Sequence, residues 1–241
     1  MERWTGKVAL VTGASAGIGR AVAERLVAEG MTVAGCARRL ERLQQIPGLV
    51  PYAVDLRKES QILEMFADIK TRHGGVDVLI NNAGLGHHAP LLRGDTSAWR
   101  EMLEVNVLAL CVCTREAVAQ MRSGGGEGHI IHISSMAGHR VPGGSGVYSA
   151  TKYAVRSLTE GLRQELREAD LPIRVGAISP GFVETEFAEH YHKSEEAAEQ
   201  TYGRYQVLRD KDVAETVVYV LSQPSHVQVH DVLMRPTEQT S

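Results

Sequence analysis

The chain has 241 residues, 43% of them hydrophobic, enough for one large core, and a formal net charge of −3 with Lys and Arg spread along it, which provides no basic field for nucleic acid. No apolar run approaches the about 20 residues that span a bilayer, and Met1-Glu2-Arg3-Trp4-Thr5-Gly6 holds no leader-like apolar core, so a cytoplasmic protein without a membrane span is expected. Cys36, Cys111 and Cys113 cannot all pair and suit a reducing compartment, and ten histidines without metal-ligand spacing give no reason to expect a metal.

Residues 7–11 read as a first strand, followed by Thr12-Gly13-Ala14-Ser15-Ala16-Gly17-Ile18-Gly19 and a helix over 17–29. This order of strand, glycine turn and helix lets the backbone approach a pyrophosphate that faces the positive end of the helix. Further strands are predicted at 32–36, 50–54, 77–81, 129–134, 174–178 and 227–232, and helices at 58–72, 97–121, 148–169 and 210–221. The alternation predicts an α/β fold: a single domain over 1–241 with a Rossmann-type, doubly wound parallel sheet of about seven strands and helices on both faces. Residues 180–205 form a long polar insertion with no clear strand, which reads as a lid.

In such a sheet the ligand crevice lies at the carboxyl ends of the strands. Gly13, Asp55, Asn81-Asn82-Ala83-Gly84, Ser134-Ser135 and Pro180-Gly181 all fall there. On the next helix, Tyr148 and Lys152 are one turn apart on one face, so an ammonium can lie near a phenol whose ordinary pKa is about 10. That pairing suits general acid-base chemistry, although surface helices also carry such pairs as solvated decoration.

Thr12-Gly13-x3-Gly17-Ile18-Gly19, Asn81-Asn82-Ala83-Gly84, Asn106, Ser135, Tyr148-x3-Lys152 and Pro180-Gly181 together resemble the short-chain dehydrogenase/reductase family over essentially the whole chain. The resemblance implies a catalytic tetrad of Asn106, Ser135, Tyr148 and Lys152. Ser135 would bond the substrate oxygen, and Tyr148 would exchange its proton. Lys152 would lower the Tyr148 pKa and hold the nicotinamide ribose, and Asn106 would seat a water. It also implies cofactor contacts from Gly13, Ser15, Gly17, Ile18, Gly19, Asp55, Leu56, Asn82, Ala83, Gly84, Pro180, Gly181, Val183 and Thr185, and dimers or tetramers through the two long helices.

An NAD enzyme of this kind places a carboxylate at the end of the second strand, where a 2′-phosphate would instead meet arginine. Here the chain reads Cys36-Ala37-Arg38-Arg39, so NADP(H) is expected over NAD(H), with Arg38 and Arg39 as phosphate ligands. The stretches 148–155 and 159–168 resemble a subgroup of animal keto-steroid and carbonyl reductases with insect relatives acting on farnesol. A small apolar carbonyl or alcohol substrate follows, with Ser135, Ala137, His139, Val141, Gly143, Phe182 and Phe187 as candidate pocket residues. An NAD-dependent alcohol dehydrogenase and a non-catalytic NADP-binding redox sensor are the alternative readings.

Overall fold

Val8–Thr12 (β1) consists of five buried residues whose side chains alternate between the faces of the sheet. Val8 and Leu10 join the apolar layer on one side, Ala9 and Val11 the layer on the other. A strand buried on both faces needs cover on both, which is the condition for a parallel sheet sandwiched by helices. The structure, a computed structural model, describes residues 1–192 and 194–240, with the backbone alone at 195, 197 and 198.

The strands following β1 are Thr32–Ala37 (β2), Leu49–Ala53 (β3), Val78–Asn81 (β4), Gly128–Ile133 (β5), Ile173–Pro180 (β6), Val183–Glu184 (β7), Leu208–Arg209 (β8) and Asp231–Met234 (β9). Seven of them form one parallel sheet in the order β3-β2-β1-β4-β5-β6-β9, and β7 pairs with β8 in a separate two-stranded ribbon. The chain runs outward from β1 to β3, then returns to β4 on the other side of β1. The crevice expected at such a reversal therefore opens at the carboxyl ends of β1 and β4.

The helices are Gly17–Ala28 (α1), Leu40–Leu43 (α2), Glu59–His73 (α3), Thr96–Leu103 (α4), Ala109–Ser123 (α5), Gly146–Glu168 (α6), Phe187–His192 (α7), Glu195–Tyr202 (α8) and Asp210–Ser222 (α9). One face of the sheet is covered by α1 and α9, through Val22, Leu26, Val213, Val217 and Leu221. Trp4 closes that layer, its indole N–H donating to the Leu221 carbonyl at 2.9 Å. The other face carries Ile62, Phe66 and Ile69 of α3 with Val112, Ala117 and Met121 of α5. Each such buried Val, Leu, Ile, Phe or Met side chain contributes about 1.5–3 kcal/mol relative to exposure. None of the helices among the described residues is long and apolar enough to cross a membrane.

Three departures from the sequence reading have physical causes. The helix predicted over 97–121 is interrupted by a π-helical turn at Glu104–Leu108, where the Ala109 N–H bonds the Glu104 carbonyl five residues back. The insertion at 180–205 contains β7, α7 and α8. The last strand begins at Asp231, because the Arg174 guanidinium binds the carbonyls of Gln223, Pro224 and Val227 at 2.9–3.1 Å and holds that stretch as a turn.

Candidate active site

The turn after β1 is shaped for close approach. Gly13 and Gly17 have φ of +69° and +49°, and a Cβ would come within 2.9 Å of the Ala83 backbone at Gly13 and of the Thr185 side chain at Gly17. Asn82 braces the turn from behind, its amide donating to the Thr12 carbonyl at 2.9 Å. The Thr12 hydroxyl accepts the backbone N–H groups of Asn82 and Ala83 at 3.0 Å each. Beyond this brace lies a shallow cleft lined by Thr12, Leu56, Asn81, Ala83, Val105, Ala109, Leu110 and Cys113. A glycine cradle at the start of α1 fits the pyrophosphate of a dinucleotide. Ile18 and Gly19 lie in the first turn of α1 beside it, and Asp55 at the cleft's edge is engaged by Arg57 at 2.7 Å, which lowers its pKa to about 2.

The acid-base centre lies at the ends of β4 and β5. Ser135 caps the short 3-10 turn Met136–Gly138, its hydroxyl accepting the Ala137 N–H at 3.1 Å, and that hydroxyl faces the Tyr148 phenol. Burial pushes the Tyr148 pKa up to about 12, against the pull of the Ser135 hydroxyl. The Lys152 ammonium sits 5.9 Å from the Tyr148 ring centroid and donates to the Ile133 carbonyl at 3.0 Å, and burial lowers its own pKa to about 8. Gly84 passes close by, since a Cβ there would lie 3.4 Å from that ammonium.

Asn106, in the π turn, spends its side-chain groups on protein. Its Oδ1 accepts the Leu85 N–H at 2.9 Å, and its Nδ2 donates to the Leu85 carbonyl at 2.8 Å and to the Thr151 hydroxyl at 3.0 Å. It thereby ties the segment after β4 to α6, next to Lys152.

Over Tyr148 lies α7. The Phe187 ring is 5.4 Å from the phenol ring and the Tyr191 ring 6.2 Å, and the two stack on each other at 6.0 Å. Gly86 makes room for this, because a Cβ there would approach Phe187 and Tyr191 to 2.8 Å. Thr185 meets the glycine turn, and the neighbouring Glu186 carboxylate accepts from Arg42 Nη1 at 2.6 Å and Arg39 Nη2 at 3.2 Å.

Several expected residues lie elsewhere. Arg39 is bonded to Glu186 and only reaches the Ser15 hydroxyl at 3.5 Å, leaving Arg38 as the exposed cation at the end of β2. The His139 imidazole is bonded to Ser179 Oγ at 3.0 Å and lies 3.4 Å from Asp231, so it serves the β6–β9 seam. Val141 and Gly143 are exposed, and Ala137 is buried behind Ser135. Phe182 and Gly181 are engaged through their backbone with Gln239 and Met234, next to Pro180 at the end of β6, and Val183 is buried in the ribbon. Glu186 and Gly86 were not singled out from sequence. Their roles come from contacts across the fold that no local spacing encodes.

The short chain dehydrogenase family model matches residues 7–196. Dehydrogenase/reductase SDR family member 11 of Gallus gallus is 55% identical, with both chains covered in full. Farnesol dehydrogenase of Aedes aegypti is 42% identical over 98% of each chain. Among solved structures, the closed form of serine dehydrogenase complexed with NADP+ superposes with a TM-score of 0.92 at 35% identity, covering 97% of this chain and 96% of that one. The chain belongs to the short-chain dehydrogenase/reductase family and is an oxidoreductase acting on CH–OH or C=O groups with a nicotinamide cofactor.

Proposed function

We propose that the protein is an NADPH-dependent reductase of apolar ketones and aldehydes, keto steroids among them, with Tyr148 as the general acid. The observation that carries this reading is the Tyr148 phenol facing the Ser135 hydroxyl beneath the Phe187 and Tyr191 rings. When bound, NADPH supplies the hydride. Ser135 holds the carbonyl oxygen, and Tyr148, whose raised pKa keeps it protonated at pH 7, gives that oxygen its proton. Lys152 has used one of its three donors on Ile133, which leaves two for the hydroxyls of a nicotinamide ribose. Asn106 positions the segment beside Lys152. Arg38 meets the 2′-phosphate, where Ala37 presents no carboxylate to repel it. The aromatic cover favours an apolar substrate, and the farnesol dehydrogenase likeness adds isoprenoid alcohols to the candidates.

Exposed Leu103 on α4, Leu108 in the π turn and Tyr153 on α6 support a homodimer or homotetramer joined through those helices.

The test follows NADPH and NADH absorbance separately while the protein meets a 3-keto steroid, a 17-keto steroid, a diketone and an aromatic aldehyde. The reading expects faster oxidation of NADPH, and expects Tyr148→Phe to abolish turnover while still binding NADPH. Turnover retained by that variant overturns the mechanism, and tight NADPH binding with no turnover of any carbonyl by the wild type favours a sensor.

A further inference from the structure

The segment from Thr185 to Tyr191 touches both halves of the cleft. At one end Thr185 packs on the glycine turn at Gly17, and at the other Phe187 and Tyr191 cover Tyr148. Between them, the Glu186 carboxylate reaches away from the acid-base centre to the opposite rim, where Arg39 and Arg42 flank the short connection after β2. Arg39 also approaches the Ser15 hydroxyl, so the bridge runs alongside the 15–17 turn on which a pyrophosphate would rest. His190 is the remaining ionisable partner, with Nε2 at 3.9 Å from Glu186. Arg38 takes no part in this bridge. Its charge acts on Asp55, and its side chain is exposed.

The two adjacent arginines thus have different surroundings, and one carboxylate accounts for the difference. We propose that Glu186 is a positioning residue that clasps the lid shut: its bridge to Arg39 and Arg42 holds α7 over the glycine turn and Tyr148, so that release of the dinucleotide requires the bridge to break, while Arg38 alone is left to read the 2′-phosphate. The proposal rests on the reading that the cleft holds NADP(H). It turns that reading into a division of labour, in which Arg38 selects the cofactor, Arg39 and Arg42 retain it, and closure of the aromatic cover is tied to retention.

The side chains of all three bridge residues are 37–41% exposed, so each contact is partly screened by solvent. Their joint effect corresponds to a change of about 3- to 10-fold in release rate, declining as salt shortens the Debye length from about 10 Å at 0.1 M to about 3 Å at 1 M.

The experiment is stopped-flow displacement of NADPH by excess NADP+, followed by NADPH fluorescence, on wild type, Glu186→Gln, Arg42→Gln and the double variant at low and high salt. The expected result is release about 3- to 10-fold faster in each single variant, with no further gain in the double variant, and a variant-to-wild-type ratio that shrinks at high salt. The KM for the carbonyl should rise in the same variants, because an unlatched α7 no longer covers the substrate, whereas the preference for NADPH over NADH should persist. Slower release from Glu186→Gln would overturn the proposal by showing that the carboxylate competes with the cofactor for the arginines. Unchanged release would reduce the bridge to a solvated surface contact. Wild-type protein that fails to bind NADPH would overturn the dinucleotide reading and the clasp with it, while normal binding with unchanged release in the variants overturns the clasp alone.

Discussion

Burial holds the Lys152 pKa at about 8, below its ordinary 10.5, so the folded protein binds this proton less tightly than the unfolded chain does. At pH 7 the ammonium is charged in both states, and its burial costs on the order of 3 kcal/mol. That cost is relieved as pH rises from about 8 to 10.5, where the unfolded chain keeps the proton and the folded protein gives it up. Lys152→Met should therefore raise the urea midpoint at pH 7 while lowering turnover about 10²- to 10⁴-fold, and its stability should lack the gain shown by wild type above pH 8. A loss of stability in this variant would contradict the account of a strained, functional cation. At the other end of the cleft, Arg38→Asp places a carboxylate where the exposed guanidinium now stands, and the ratio of kcat/KM for NADPH over NADH should fall by at least about tenfold. An unchanged ratio would remove Arg38 from cofactor choice. The placement of both residues was legible in the sequence because it depends on local spacing: Lys152 one turn from Tyr148, Arg38 next to Ala37 at a strand end. The ion pair of Arg39 with Glu186 was not legible for the opposite reason, since the two lie 147 residues apart. The contacts of His139 with Ser179 and Asp231 were hidden likewise, because they come from two distant strands.

Elements reveal themselves in sequence when burial repeats at a fixed period. The five-residue β1 and the Ile62, Phe66 and Ile69 face of α3 do so, and they appear close to where they were expected. The π turn does not, because a single widened turn leaves the apolar pattern on either side intact and shifts only the direction in which Asn106 points. The short helices α7 and α8, of six and eight residues, span too few turns to mark a period, so 180–205 read as a loop. In the π turn, Asn106→Ala removes three hydrogen bonds at once and leaves both backbone groups of Leu85 without that partner. Stability should drop by about 2–3 kcal/mol in urea unfolding, and turnover by about 10- to 100-fold through displacement of the segment beside Lys152. A variant with wild-type stability and turnover would show that the interruption of the helix has no bearing on the site.

At the scale of the whole molecule, the doubly wound sheet follows from its near-continuous apolar strands, and the same close burial that makes those strands readable also traps two histidines in β5. His132 is bonded to Thr159 at 3.0 Å and faces Thr114 at 3.4 Å, while both ring nitrogens of His129 are buried without a hydrogen-bond partner among the described residues. Burial lowers each pKa from 6.5 to about 3, with Arg174 and Arg3 adding to the effect at His129 and Lys152 at His132. Between those values the unfolded chain takes up a proton that the folded protein refuses, so stability falls as pH drops from about 6.5 toward 3, by about 1.4 kcal/mol per pH unit for each histidine. No comparable loss from Asp55 begins until the pH nears its ordinary 3.8, since its folded pKa is about 2. His129→Leu removes one of the two protons and a side chain with no partner for its nitrogens. It should unfold at higher urea than wild type at pH 7, and between pH 6.5 and 5 it should lose about 2 kcal/mol less than wild type does. Equal losses over that interval would show that His129 already takes up its proton in the folded state, and would place the acid sensitivity on His132 and the carboxylates instead.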